Sequence, residues 1–252
     1  MSLLALPALS DNYIWLYSRG SDALVVDPGE AGPVDAALEQ HGLRLRAILL
    51  THHHPDHVGA AAALAARHGA TIHAPHDPRI ATADARVGDG DRIAFDAPRC
   101  AFEVIEVPGH TRSHVAWYGE GLLFCGDTLF SIGCGRLFEG TPGQMLASLD
   151  RLAALPGDTR VCCGHEYTLA NCAFALEVEP GNAALAARAA RAAAQRARGE
   201  PTLPSTIAEE RACNPFLRVD EPAVRDALGA GDRVTRFAEL RRRKDDYRMP
   251  AR

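Results

Sequence analysis

No apolar run in the 252-residue chain approaches the roughly 18–20 residues that a membrane helix needs, so a helical membrane protein is excluded. The opening Met1–Ser10 lacks a basic n-region and a small-residue cleavage site and meets Asp11 early, so no signal peptide is expected. A disulfide framework is equally poorly supported. Seven cysteines is an odd number, and Cys162 and Cys163 are adjacent rather than spaced as CxxC. A reduced, cytoplasmic protein is the expectation. Lysine is nearly missing: Lys244 stands alone beside 26 arginines. A basic front half is missing too. Residues 1–170 hold 12 Arg against 20 Asp and Glu, a balance of −8, while residues 171–252 hold 14 Arg, one Lys and 12 acids, a balance of +3. An acidic front half argues against nucleic acid as the main partner, because phosphate binding needs a basic footprint. With 47% apolar and 23% charged residues, the chain is neither disordered nor fibrous.

Short runs rich in Val, Ile and Leu fill the first two-thirds of the chain: 23–27, 47–51, 102–107, 115–118, 122–125 and 160–163. Their lengths and their bounding Gly, Pro and Asp predict strands. Helices are predicted over 58–68, ending at Gly69, and over 143–155, between Pro142 and Pro156. Strands mixed with helices imply a layered α/β domain with buried sheets. After about residue 170 the strand signals stop. Asn182 caps a predicted helix over 183–198, where ten of sixteen residues are alanine. Pro201–Pro204 reads as a linker-like break, and further helical stretches follow near 206–211, 221–228 and 231–242. The expected organisation is an α/β domain over 1–170 and a small helical domain over 171–252.

Four of the eleven histidines lie in Thr51-His-His-His-Pro-Asp-His57, which begins where the run 47–50 ends. Loops at the C-terminal ends of strands collect ligands in open α/β sheets. In an extended loop His52 and His54 point the same way, and Asp56 and His57 follow on the turn into the next helix, so one loop addresses two points in space. Three other strand ends carry matching pieces: Gly109-His110, Gly126-Asp127 and Gly164-His165. Together these are five imidazoles and two carboxylates with no thiolate, a donor set suited to zinc, iron or manganese. Seven ligands exceed one tetrahedral zinc but suit two ions that share a bridging carboxylate.

This pattern resembles the metallo-β-lactamase superfamily and, within it, glyoxalase II, the hydroxyacylglutathione hydrolases. The supporting stretches are Asp11-Asn-Tyr-Ile-Trp15, the 51–57 motif, Pro108-Gly-His-Thr111, Cys125-Gly-Asp-Thr-Leu-Phe130, Gly133-Cys-Gly-Arg-Leu-Phe-Glu-Gly-Thr141, Gly164-His-Glu-Tyr-Thr168, Asn214-Pro-Phe-Leu-Arg218 and Arg241-Arg-Arg-Lys-Asp245. The metal motif identifies the superfamily; the glycine-cysteine-glycine stretch, His-Glu-Tyr-Thr and the basic C-terminal motif point to the narrower family. The resemblance implies an αββα sandwich with a small helical C-terminal domain. It implies that His52, His54 and His110 bind one metal, that Asp56, His57 and His165 bind a second, and that Asp127 bridges them. Zinc is the first expectation, with iron and manganese open. The resemblance gives His53 no ligand role. It assigns Lys244 and Arg241 to the carboxylates of glutathione and makes Arg136 and Tyr167 further contacts. Phe138 stands where eukaryotic members have tyrosine, so one hydroxyl contact is absent.

The implied reaction is hydrolysis of S-(2-hydroxyacyl)glutathione, chiefly S-D-lactoylglutathione, to glutathione and the hydroxy acid, the second step of methylglyoxal detoxification. Two metals about 3.5–4 Å apart hold a hydroxide that attacks the carbonyl, and Asp56 is the candidate to orient it. A thiolate leaving group, with a conjugate acid of pKa about 8.5, departs without a dedicated general acid. Ser113-His114 reads as a polar turn rather than a nucleophile and base, and Cys134 as part of a tight loop rather than a reactive thiol. The competing readings are a one-iron persulfide dioxygenase, a nuclease-type phosphodiesterase and a non-catalytic binding module. The first would not need His57 and His165, the second should show a basic groove, and the third should have lost ligands. A monomer acting on a small thioester, with no nucleic-acid or membrane partner, is expected.

Overall fold

The computed structural model describes residues 1–248, which fall into two compact units. Unit one comprises residues 1–106, 113–126 and 162–165; unit two comprises 107–112, 127–161 and the chain from 166 onward.

Unit one begins with β1 (Ser2–Ala8), β2 (Asn12–Arg19) and β3 (Asp22–Val26), then α1 (Gly32–His41), β4 (Arg44–Leu49), α2 (Pro55–Val58), α3 (Ala61–His68), β5 (Thr71–Pro75) and β6 (Ala85–Val87). These six strands form one sheet in chain order. The β1-β2-β3 side is antiparallel, and β3 to β6 run parallel. Strands buried on both faces read as continuous rather than alternating apolar runs. That is why 23–27 and 47–51 were legible. The core on one face of this sheet joins Leu16, Val25 and Ile48 to Leu38 of α1 and Leu64 of α3. Burying such a side chain contributes about 1.5–3 kcal/mol.

The second sheet of this unit contains β7 (Arg92–Asp96), β8 (Arg99–Glu106), β9 (Val115–Gly119) and β10 (Leu122–Gly126), all antiparallel. Cys162–Cys163, the end of β13 (Arg160–Cys163), lies beside β10. The two sheets meet where the Tyr17 and Phe102 rings lie edge to face at 6.0 Å and where the Trp117 indole donates to the Leu50 carbonyl at 3.1 Å. The helix expected over 58–68 is broken in two. Gly59 separates α2 from α3, and a side chain there would lie 2.7 Å from the Pro55 carbonyl oxygen and 2.9 Å from that of Gly29.

Unit two carries the short hairpin β11 (Leu129–Phe130) and β12 (Gly133–Cys134), then α4 (Pro142–Ala153), α5 (Thr168–Val178), α6 (Ala183–Ala197), β14 (Ser205–Thr206), α7 (Ile207–Cys213), a 3-10 turn (Pro215–Leu217), α8 (Pro222–Leu228) and α9 (Arg233–Asp246). Thr141 and Gln144 close a capping box at the start of α4, and Asn182 accepts from Leu185 N–H at the start of α6. Buried polar groups hold the hairpin to the helices. Asn214 donates to the Phe130 and Gly133 carbonyls, and Glu210 accepts from Ile132 N–H. Pro201–Pro204 is no loose linker: Thr202 and Leu203 are buried, and Thr202 bonds to Glu166 through both its N–H and its hydroxyl. A strand also follows residue 170, since β14 pairs with Arg160 and Val161, the start of β13.

Candidate metal centre

In unit one the loop that follows β4 is pinned from below by Asp27. Thr51 donates to its carboxylate through N–H (2.8 Å) and hydroxyl (2.6 Å). With its proton committed there, the Thr51 oxygen accepts from His52 Nδ1 at 3.0 Å, which leaves the lone pair of His52 on Nε2. That Nε2 lies 3.1 Å from His54 Nδ1, and the His52 ring stacks on His114 at 4.6 Å. His57 repeats the arrangement: Nδ1 lies 3.0 Å from Asp27 Oδ2 and Nε2 lies 3.3 Å from Asp56 Oδ2. His165, at the end of β13, places Nδ1 2.8 Å from Asp11 and Nε2 3.4 Å from the same Asp56 oxygen. Asp56, His57 and His165 thus bring one donor atom each within 4.8 Å of one another. Asp27, His52 and His57 do the same.

Two glycines permit this crowding. Gly126 has φ +46°, and a side chain there would lie 2.4 Å from Thr51 Oγ1; one at Gly29 would lie 2.1 Å from the Asp56 carbonyl oxygen. Burial pushes the Asp56 carboxyl toward a higher pKa, but His165, His57 and Asn12 facing it outweigh that and hold it well below the ordinary carboxylate range.

Unit two carries a matching fragment. His110 donates from Nδ1 to the Arg136 carbonyl at 2.8 Å and turns Nε2 to 3.5 Å from Asp127 Oδ2. Phe138, 62% exposed, lies with its ring 5.2 Å from that of His110. The Arg136 guanidinium reaches Asp245 at 3.5 Å. Arg241 is buried; it donates to the Cys134 carbonyl at 2.7 Å and to Asp245 at 3.0 Å. Lys244 donates to the Ala170 carbonyl at 3.1 Å between the rings of Phe174 and Tyr247, each 5.3 Å away. Tyr167 is half-exposed against Phe130.

The donor chemistry fits divalent ions. Two ligands bound tetrahedrally at about 2.0–2.1 Å stand about 3.3 Å apart. The facing nitrogen–nitrogen and nitrogen–oxygen distances of 3.1, 3.3, 3.4 and 3.5 Å cluster around that edge length. Where an imidazole presents an Nε2 lone pair to a carboxylate oxygen, the contact is attractive only with a proton or a cation between them. In His57, His110 and His165 the Nδ1 side is given to an acceptor, the usual tautomer lock of a metal-binding histidine.

A family model described as the metallo-β-lactamase superfamily matches residues 9–165, and one described as the hydroxyacylglutathione hydrolase C-terminus matches 166–247. A hydroxyacylglutathione hydrolase of Cupriavidus taiwanensis is 54% identical, over 96% of this chain and 98% of its own. One of Xanthomonas axonopodis pv. citri is 53% identical, over 98% and 100%. This chain belongs to the hydroxyacylglutathione hydrolase family. Among solved structures, ETHE1 from Myxococcus xanthus superposes with a TM-score of 0.66 at 25% identity, over 97% of this chain and 98% of its own. TTHA1623 in a di-iron-bound form gives 0.55 at 32% identity, over 66% and 92%. The metallo-β-lactamase fold with a hydroxyacylglutathione hydrolase C-terminal region is therefore the fold of this chain, and its His and Asp clusters are those of a divalent-metal protein.

The remaining residues that the sequence singled out have structural partners. His53 places Nδ1 3.4 Å from Asp77, which Ser113 also meets, so Ser113 serves a buried carboxylate. His114 is a fully buried stacking partner of His52. The Cys134 thiol is pushed up to about 11, by burial against the opposing pull of Arg241. Asp27 was missed by sequence reasoning. Its signal was there, because Val26-Asp27-Pro28-Gly29 is an apolar run ending in Asp beside Gly, like 125–127.

Proposed function

We propose that this chain hydrolyses the thioester of S-(2-hydroxyacyl)glutathione, with S-D-lactoylglutathione as the leading substrate, to glutathione and the 2-hydroxy acid. The observation that carries the reading is the match of residues 166–247 to the hydroxyacylglutathione hydrolase C-terminus, joined to a metallo-β-lactamase match over 9–165. In this reading His52, His54 and His110 hold the first ion, Asp56, His57 and His165 the second, and Asp127 both. Two zinc ions are the leading cofactors; the nitrogen and oxygen donor set supports divalent metals and suits iron and manganese as well. When bound, the ions supply an acidified water and a positive field for the carbonyl oxygen.

The chain's own groups do the rest. Asp56, held ionised, keeps a full negative charge facing His57 and His165 and accepts from whatever proton donor enters between them. No acid is needed to protonate the leaving sulfur, because a thiolate departs unaided near neutral pH. On the substrate side, Arg136 and Lys244 offer cationic donors to the carboxylates of glutathione. Arg241 shares that role mainly by anchoring the Cys134–Arg136 segment from beneath, and Tyr167 and Phe138 supply ring surface. Against a one-iron dioxygenase stands the convergence of Asp56, His57 and His165 on a second point. A cytoplasmic monomer is part of the proposal, and no helix among the described residues is long and apolar enough to cross a membrane.

The test is loss of the S-D-lactoylglutathione ultraviolet absorbance with metal-loaded and chelated protein. Rapid, metal-dependent loss supports the reading, and no turnover with two ions bound rejects it. Asp56→Asn, which loses the charge but keeps the shape, should lower kcat by about 100-fold or more. Near-full activity with both ions retained would remove Asp56 from the mechanism.

A further inference from the structure

The stretch Asp11-Asn-Tyr-Ile-Trp15 has no part in the chemistry above, yet most of its polar groups converge on one place. β1 and β2 pair as far as Ala8 and Asn12, so Leu9, Ser10 and Asp11 form the tip of the hairpin. From that tip Asp11 accepts from His165 Nδ1 at 2.8 Å. The next residue, buried Asn12, donates its side-chain amide to Asp56 Oδ2 at 3.0 Å and reaches the Asp56 carbonyl at 3.5 Å. The main chain fixes both contacts. Asn12 forms a β-bridge with His165, Tyr13 N–H donates to the Gly164 carbonyl at 2.8 Å, and the Trp15 indole donates to the Cys163 carbonyl at 2.9 Å.

We propose that Asp11 and Asn12 are a positioning pair for the Asp56, His57 and His165 set, controlling how tightly the second ion is held without controlling the first. This rests on the two-ion reading above. The Asp11 carboxylate locks His165 as the Nδ1–H tautomer and aims Nε2 at Asp56. The Asn12 amide occupies one lone-pair direction of Asp56 Oδ2, which fixes the rotation of that carboxylate. An amide suits this position, because a second carboxylate there would face Asp56 with like charge at 3.0 Å. His52 is oriented by different residues, Thr51 and His114. Removing an outer partner of a metal ligand weakens binding about 10- to 100-fold.

The experiment titrates the metal-free full chain with Zn2+ against a chromophoric chelator, with ions counted after dialysis. Asp11→Ala and Asn12→Ala should each lower one of the two association constants about 10- to 100-fold and leave the other within about twofold. The double variant should retain one ion after dialysis. Asp11→Asn, which keeps a neutral acceptor, should restore part of the loss, and Asn12→Asp should do worse than Asn12→Ala. Thermal unfolding of the metal-free variants should match wild type, which separates positioning from support of the fold. Two constants that fall together, or neither falling, would overturn the proposal. A wild type that takes up a single ion overturns the two-ion reading, and this inference with it.

Discussion

The sole lysine makes the substrate assignment testable through pH alone. Burial between Phe174 and Tyr247 pulls the Lys244 pKa from 10.5 down to about 8, and Arg241 and Arg136 add to the fall. The Cys134 and Cys172 thiols pull the other way without cancelling it. The sign is fixed by the direction of the shift. A depressed lysine is charged below about 8 and neutral above it, so the ammonium that would meet a glutathione carboxylate is lost in the accessible range. Because kcat/KM follows the ionisation of the free enzyme, it should fall about tenfold per pH unit above that point, roughly tenfold between pH 7 and pH 9. kcat at saturating thioester should change far less, since a bound carboxylate restores the charge. The assay is the initial rate of S-D-lactoylglutathione hydrolysis from pH 6.5 to 9.5, corrected for spontaneous thioester loss. Lys244→Arg should remove the alkaline fall, because guanidinium stays charged throughout. Lys244→Ala should remove it too, at a lower plateau. A wild-type profile flat to pH 9.5, or a fall that survives in Lys244→Arg, would refute a substrate-facing role for this residue.

Several strands legible in the sequence, such as β3 and β10, have side chains buried almost throughout, so packing and composition agree. β2 is as deeply buried, but its Asn, Tyr, Trp and Ser interrupt the aliphatic run that would have marked it. β7, at the edge of its sheet, was not legible, because its Arg-Ile-Ala-Phe-Asp is nowhere fully buried and carries a weak apolar signal. The same holds for α5. Its apolar residues are spread around the helix, so Thr168–Val178 shows no one-sided period. The donor residues were readable because each group follows the end of an apolar run, His110, Asp127 and His165 directly beside a glycine. Their supports were not. Asp11, Asn12 and Asp27 act on Asp56, His57 and His165 across 30 to 154 positions of sequence, and the pairings of β1 with β2 and of β3 with β4 and the bridge from Asn12 to His165 bring them together. Arg241, which the family resemblance assigns to a glutathione carboxylate, shows a contact the sequence did not: its guanidinium also donates to the Cys134 carbonyl and to Asp245.

Two further outcomes follow from burial and crowding. All seven cysteines are buried and outside any disulfide, and the Cys134 thiol is pushed up to about 11, so a disulfide-exchange reagent at pH 7.5 should label none in the folded protein and seven after unfolding. Rapid labelling of one thiol in the native state would contradict the packing of Cys134. Crowding makes Gly29→Ala a severe change. A methyl there would stand 2.1 Å from the Asp56 carbonyl oxygen and 2.8 Å from its carbonyl carbon, both backbone atoms that cannot rotate away. Relief to an ordinary contact of about 3.4 Å or more requires the Pro55–Val58 segment to retreat by about 1 Å, and a shift of that size at reacting groups costs about 100-fold in rate. The variant should therefore lose kcat and second-ion affinity together while its circular dichroism stays native. Gly32→Ala is the matched control, because no heavy atom outside its chain neighbours lies within 4 Å of a methyl built there and its φ is not in the left-handed region. Wild-type activity in Gly29→Ala would mean that the segment carrying Asp56 can slide without consequence, and the geometric account of the second ligand set would fall with it.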